Sequence, residues 1–205
     1  MYSLDIPDFK QEVLKRLSGF IGWCSNEKAT YLMDFVLQNK PTTAVEIGVY
    51  GGKSLAPVAF AMKYNGFGKI YGIDPWLVEE SCKGMEGLDL DYWSRVNHNG
   101  ILHHLQINLR QFELSEYARL IRVTSQDCPP IHDIDIIHID GNHSEDSSYH
   151  DVRKWAPLVK PGGLIIFDDI DWKTTEKAAA WLDETCEKVG LVEGHKNVWG
   201  IWKKK

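Results

Sequence analysis

The sequence predicts an α/β chain: a doubly wound, mostly parallel seven-stranded sheet with helices on both faces and a terminal antiparallel hairpin. Three observations carry that expectation. Residues 44–54 (AVEIGVYGGKS) run an apolar stretch straight into Gly48, Gly51 and Gly52, and the Ala/Leu-rich SLAPVAFAM beyond reads as a helix. Strand, glycine turn and helix form the first unit of such a sheet, whose ligands sit at the carboxyl ends of its strands. Short apolar runs then alternate with helix-period segments down the chain. The run IDIIHI at 134–139 is apolar on both faces, as a buried parallel strand is.

At 205 residues the expectation is one domain spanning 1–205 around a single core. A net charge of −6 speaks against nucleic acid as substrate, which favours a basic face. The terminal Lys203, Lys204 and Lys205 read as a solvated tail. Cys24, Cys82, Cys128 and Cys186 lie far apart with no C-x-x-C, which suits free thiols rather than a disulfide frame or a zinc site. The first ten residues carry acids and no apolar core, unlike a signal peptide. No apolar run approaches the ~18 residues of a membrane span. The chain is therefore expected to be soluble and cytoplasmic.

In chain order, 8–21 (Phe9, Val13, Leu17) and 26–39 (Tyr31, Leu32, Phe35, Val36) show helical spacing, with Ser25-Asn26 as the N-cap region of the second. Pro41 closes that helix. Residues 1–40 form an N-terminal helical flap, which either covers a cofactor or packs plainly on the core. In the first turn glycine is needed for φ > 0 and for close approach of a ligand. Residues 70–73 make the second strand, ending at Asp74 in GIDPW, where an acid can grip the two hydroxyls of a ribose. Glycine turn and acid together indicate a nucleoside cofactor; a bare structural turn is the alternative.

Residues 75–112 are longer than a crossover requires: Pro75-Trp76, an acidic loop-like stretch over 79–91, then a helix over 96–111. Loops beyond ~12–15 residues are commonly lids or binding loops, so this segment reads as an acceptor-site insertion. Trp76, Tyr92, Trp93, His98, His103 and His104 either shape the pocket there or seal the core edge. Residues 119–124 form the third strand, followed by Ser125-Gln126-Asp127. The fourth strand ends in Asp140-Gly141-Asn142-His143, a helix covers 145–155, and the fifth strand, 164–167, ends in Asp168-Asp169. A helix over 174–188 and strands at 191–193 and 197–202 complete the chain, with no internal repeats.

Asp140, Asp168 and Asp169 thus fall at the ends of adjacent strands. Oxygen-only ligands of this kind suit Mg²⁺, and neighbouring acids repel one another without a cation. The competing reading is that aspartates simply start turns. His138, two residues before Asp140, shares its strand face and is either a partner of that site or a hydrogen-bonded core histidine.

The stretch from Glu46 to Gly52 spells E-x-G-x-x-x-G and lacks the G-x-G-x-x-G of dinucleotide sites. It resembles the first motif of class I S-adenosylmethionine-dependent methyltransferases. GVYGGKS is similar to small-molecule O-methyltransferases of the catechol type. HIDGNHS followed by PLVKPGGLIIFDDI resembles their metal-dependent branch, which includes the macrocin-type enzymes. The resemblance runs from residue 22 to residue 172 and implies a Rossmann-like methyltransferase fold. It implies S-adenosylmethionine bound by Glu46, Gly48, Tyr50, Gly52, Ser54, Asp74, Trp76, Ser125, Gln126 and Asp140. Within that set Tyr50 lies by the sulfonium, Ser54 holds the methionine carboxylate, and Ser125 and Gln126 meet the adenine edge, where a plain polar turn is the alternative.

The same resemblance implies Mg²⁺, or another divalent cation, on Asp140, Asp168 and Asp169, assisting O-methyl transfer to a small hydroxylated acceptor such as a sugar, a polyketide glycoside or a polyphenol. Macrocin-type relatives carry an aspartate base where this chain has Asn142, and catechol-type enzymes a lysine where it has His143. His143 is therefore the candidate base, with its pKa lowered beneath the ordinary 6.5 or so by a nearby cation. The alternative is that it caps the following helix or partners the ligands of the metal from outside. Two rival functions remain: a nicotinamide oxidoreductase, disfavoured by the glycine spacing, and a cofactor-binding protein without turnover, kept open by Asn142. No nucleic-acid or membrane partner is expected, and homo-oligomerisation is left open.

Overall fold

The computed structural model describes residues 5–193 and 198–205; His195, and Asn197 as the expected start of the last strand, lie outside them. Asp5 caps α1 (Ile6–Arg16) by accepting the Asp8 N–H, and Pro7 sits in the first turn, where its missing N–H costs nothing. The helix stops short of residue 21. A 3₁₀ turn over Leu17–Gly19 releases the chain so that Ile21 can pair with Gly52 of the glycine loop. Ser25 caps α2 (Asn26–Asn39) through the Lys28 N–H.

β1 (Thr43–Ile47) leads to α3 (Leu55–Asn65) and β2 (Lys69–Ile73). The stretch expected as loop over 79–91 carries two short helices, α4 (Val78–Ser81) and α5 (Gly87–Trp93). Its acids are why sequence alone read it as loop: Glu79, Glu80 and Asp89 sit in first turns, where negative charge meets the positive helix end. α6 (His98–Gln111), β3 (Ala118–Ile121), β4 (Ile134–Ile139), α7 (Glu145–Trp155) and β5 (Val159–Phe167) come next. β3 ends before Thr124 because Thr124 and Asp127 close a local hydrogen-bonded turn. α8 (Glu176–Thr185) stops three residues before Lys188. Cys186 and Lys188 belong instead to β6 (Cys186–Glu193), which pairs with β7 (Val198–Lys204). There the sheet ladder and burial of Cys186 override helical periodicity.

The sheet order is β3-β2-β1-β4-β5-β7-β6, parallel through β5 and antiparallel for β7 and β6. Successive residues face opposite sides. Ala44, Ile70, Ile136 and Ile166 pack with α1, α2, α3 and α6 through Phe9, Leu32, Phe60 and Leu105. Val45, Ile137, Ile165 and Trp202 pack with α7 and α8 through Trp155 and Leu182. Both faces are covered, which is why the strands read as apolar throughout. Among the described residues no helix is long and apolar enough to cross a membrane.

What positions the site is the carboxyl edge. The strand order reverses between β1 and β4, and a crevice opens at such a switch point. The first residue past each strand still bonds its neighbour: Gly48 N to Ile73 O (3.0 Å), Asp74 N to Ile121 O (3.2 Å), Asp140 N to Ile47 O (2.8 Å) and Asp168 N to Ile139 O (3.0 Å). These four residues are therefore held in a row by the sheet itself.

Candidate active site

A cavity of about 700 Å³ runs along this edge, within the roughly 300–1,000 Å³ typical of small-molecule sites. Its floor at β1 is Gly48, with φ +80°; a Cβ there would lie 1.9 Å from the Asp140 carbonyl oxygen. Glycine is thus required by the neighbouring strand end. Asp74 holds the rest of the turn. One of its oxygens accepts the N–H groups of Val49 (3.0 Å) and Tyr50 (2.8 Å), and the other that of Trp76 (2.7 Å). Burial raises its pKa against those bonds. Much of the hydrogen-bonding capacity expected for a ribose is spent on the protein's own loop.

Of the residues expected to bind a cofactor, Gly48, Tyr50, Ser54, Asp74, Ser125, Gln126 and Asp140 line this one crevice, together with His143 and Asp169. Four candidate residues do not. Gly52 turns toward α6, where a Cβ would strike Leu105 at 2.5 Å, so it serves packing. Trp76 is 1% exposed, and its indole N–H donates to the Tyr50 carbonyl at 2.8 Å, so the ring supports the loop from behind. Glu46 lies beneath the crevice, where one oxygen accepts the Ser54 hydroxyl and stands 3.1 Å from the His138 ring. Asp168 is the fourth.

The turn carrying Ser125 and Gln126 is pinned from α7. Ser125 Oγ donates to Asp151 at 2.5 Å, and Lys154 Nζ donates to the carbonyls of Ser125, Gln126 and Cys128 at 2.8, 2.6 and 2.8 Å. Burial pushes the Asp151 carboxyl up to about 7. On the opposite wall Trp23 stacks on Tyr50 with centroids 5.3 Å apart, Trp93 meets Tyr50 edge-on at 5.5 Å, and the Tyr50 and Tyr92 hydroxyls are bonded at 2.9 Å. His98 also faces the crevice, whereas His103 and His104 do not. Sequence reasoning missed Trp23, Lys53, Asp151 and Trp172 as lining residues. Lys53 has no ion-pair partner among the described residues.

At the far end stand the acids. Asp169 has φ +51°, which turns its side chain back into the crevice, while Asp168 points inward and is 1% exposed. Asp168 takes the Lys28 ammonium at 2.9 Å, the Asp169 N–H at 2.8 Å and the Trp199 indole N–H at 2.5 Å, with His138 Nε2 at 3.7 Å. Burial opposes ionisation, but the His138 ring and the Lys28 charge win and hold its pKa below the usual range. His138 is a buried core histidine hydrogen-bonded to Glu46 through Nδ1, and it also neighbours the acids: Nε2 stands 3.7 Å from Asp168 with no hydrogen-bond partner among the described residues. Lys28 was also missed, yet it sits four and eight residues before Leu32 and Val36, a charge on an apolar stripe.

His143 lies between the two carboxylates that line the crevice, Nε2 3.3 Å from Asp140 and Nδ1 3.4 Å from Asp169, and packs against Trp172 with centroids 5.1 Å apart. Burial works to lower its pKa, but the bond to Asp140 and the charges of Asp140, Asp169 and Asp168 raise it. The expected depression is thus reversed in the protein alone, because its neighbours are anions. Burial and the Asp168 charge push Asp169 up to about 6. Among the described residues two sets of side chains come close enough to ligate an ion, His138 with Asp140 and Asp168, and Asp140 with His143 and Asp169. Asn142, where the macrocin-type pattern has a base, donates its amide to the carbonyls of Glu80, Ser81 and Lys83 at 3.1, 3.3 and 2.9 Å. A carboxylate could not donate there; the amide instead fastens α4 over the site.

Comparison with known proteins identifies a family and a shared fold. Residues 45–170 match the profile of a family described as a methyltransferase domain. No curated protein sequence matches the chain. Among solved structures the O-methyltransferase NovP superposes with a TM-score of 0.68 at 17% identity, covering 88% of this chain and 81% of that one. An O-methyltransferase from Bacillus cereus in complex with SAH gives 0.63 at 14% identity, covering 98% and 93%. The SAH-bound Podospora anserina methyltransferase PaMTH1 gives 0.66 at 14%, covering 99% and 91%. At these identities the likeness shows the fold.

Proposed function

From a chain that belongs to the methyltransferase-domain family and is an S-adenosylmethionine-dependent methyltransferase, we propose O-methyl transfer to a hydroxyl of a small molecule. One observation carries the choice of acceptor end: on two residues that line the crevice, Asp169 Oδ1 is buried with no hydrogen-bond partner among the described residues, and buried His143 Nε2 has none beyond its 3.3 Å approach to Asp140. Buried polar atoms are seldom left unpaired unless a ligand completes them. A hydroxyl of the acceptor would donate its one proton to the neutral imidazole, and a second donor on the acceptor would answer the Asp169 oxygen, which can only accept when ionised. The flat walls of Trp23, Tyr92, Trp93 and Trp172 suit a sugar, a polyketide glycoside or a polyphenol.

S-adenosylmethionine would supply the electrophilic methyl group; the protein's part is to bind, orient and move one proton. Lys53, beside Ser54 at the start of α3, would meet the cofactor carboxylate. Asp74 would offer its remaining acceptor capacity to the ribose, and Ser125 and Gln126 would meet the base. The Gly22–Ser25 segment of the N-terminal flap closes one side, and the 75–112 insertion forms the acceptor wall. Mg²⁺, expected from three converging aspartates, is left out of this reading, because Asp168 is committed to Lys28 and Trp199 and does not line the crevice. No step is assigned to a metal. Catalysis is favoured over mere cofactor binding by Asn142: its departure from the macrocin-type pattern has a structural use, and His143 is left at the reacting end.

The test is thermal. S-adenosylhomocysteine should raise the melting temperature and NAD should not, the gain being about 2.7 kcal/mol at 100-fold excess over the dissociation constant. A shift with NAD and none with S-adenosylhomocysteine would overturn the reading.

A further inference from the structure

We propose that Lys28 is the resident cation of the acceptor end, holding Asp168 in the place where a divalent metal ion was expected, so that methyl transfer by this chain needs no such ion. This inference rests on the methyltransferase reading of the crevice and concerns how that site neutralises its acids.

Lys28 lies in the first turn of α2 and is fully buried, with Nζ 2.9 Å from Asp168 Oδ1 and 4.4 Å from the centroid of the Trp199 ring. A buried ammonium needs an anion, and a buried carboxylate needs a cation or donors; here each is the other's answer. The same Asp168 oxygen also accepts the Asp169 N–H at 2.8 Å, and the second oxygen takes Trp199 Nε1 at 2.5 Å. Mg²⁺ binds through open oxygen lone pairs and keeps several of its waters. Asp168, 1% exposed, already spends one oxygen on the Lys28 ammonium and the Asp169 N–H and the other on the Trp199 indole. His138, Asp140 and Asp168 come close enough to ligate an ion, but an ion there would meet a carboxylate already engaged.

The other two acids are spanned by protein as well. The His143 ring stands 3.3 Å from Asp140 and 3.4 Å from Asp169, and Trp172 backs it. Imidazole is a poor partner for Mg²⁺ and a good one for zinc or other transition metals. The alternative to a resident lysine is therefore a softer ion on Asp140, His143 and Asp169, which the experiment must be able to see. The repulsion among three neighbouring carboxylates, which argues for a metal from sequence, is met by a side chain 140 residues distant from Asp168 in the chain.

The full-length protein, saturated with S-adenosylhomocysteine, is titrated with Mn²⁺ followed by electron paramagnetic resonance, and with Mg²⁺ and Zn²⁺ by calorimetry. Wild type should leave the free Mn²⁺ signal at that of buffer and give no Mg²⁺ or Zn²⁺ heat at the site. Lys28→Met, which keeps bulk and removes charge, should bind Mn²⁺ at least about tenfold more tightly and melt higher with it. Asp168→Asn added to that variant should abolish the gain. One equivalent of any of the three ions on wild type, lost in Asp140→Asn or Asp169→Asn, overturns the proposal. So does a folded Lys28→Met with no gain in Mn²⁺ affinity. If that variant does not fold, the wild-type titrations decide. The thermal shift with S-adenosylhomocysteine on the same samples is a separate readout: its failure sinks the methyltransferase reading, whichever way the metal titrations fall.

Discussion

Gly48→Val is expected to abolish S-adenosylhomocysteine binding and to destabilise the fold severely, by at least about 4 kcal/mol. The side chain added at this position has nowhere to go. Its Cβ would stand 1.9 Å from the Asp140 carbonyl oxygen and 2.5 Å from the carbonyl carbon, and both are backbone atoms of the adjacent strand end. A φ of +80° adds strain that a β-branched residue tolerates worst. Gly66 separates the two contributions, because it has φ +82° and open space around its Cβ position. Gly66→Ala should cost only the left-handed backbone, roughly 1–2 kcal/mol. Gly48→Ala should cost that plus the collision. Urea unfolding of the three variants checks it, and Gly48→Ala unfolding within about 1 kcal/mol of Gly66→Ala would show that the strand ends yield easily.

The same position shows how far the sequence could be read. The glycine spacing located the turn correctly, but where close approach of a ligand was the reason expected for Gly48, the structure supplies a different one that only the neighbouring strand reveals. β1, β2 and β4 were legible because strands buried on both faces leave continuous apolar runs. The acids at their ends were legible because the sheet holds the first residue past each strand in place. Side-chain direction was not. Trp76 reads as a pocket aromatic, yet its indole N–H bonds the Tyr50 carbonyl and the ring sinks into the core. Asp168 and Asp169 are adjacent and chemically identical, but a single left-handed residue at 169 sends one carboxylate into the crevice and the other into the protein. Cys186–Lys188 continue a helical pattern until the partner strand claims them. Lys28 was hidden by distance along the chain, although a charge in register with Leu32 and Val36 is a signal for a buried partner.

His143→Gln is expected to lower kcat by ~10²–10⁴, the usual contribution of a positioned base, with the affinity for S-adenosylhomocysteine unchanged. The substitution keeps the size and a hydrogen-bonding group at the crevice end but removes basicity. The pH dependence has a definite sign. Burial favours the neutral ring, but the bond to Asp140 and the surrounding carboxylate charges outweigh it and raise the His143 pKa above the ordinary value near 6.5. As a base the ring works only when neutral, so kcat should climb with pH through a midpoint above 6.5, and that limb should vanish in His143→Gln. Asp169→Asn removes one of the raising charges and should move the limb to lower pH. Stability runs the other way. A histidine whose folded pKa is raised contributes fully below its unfolded pKa, and the contribution is lost as pH rises through the folded value. The melting temperature of wild type should therefore exceed that of His143→Gln in mild acid, and the gap should narrow toward alkaline pH. Release of S-adenosylhomocysteine with any hydroxylated acceptor that wild type accepts gives the rates, and melting curves across the same pH range give the stabilities. Turnover within a few-fold of wild type, with the acid limb intact, would remove His143 from proton transfer and leave its place between Asp140 and Asp169 as a structural one.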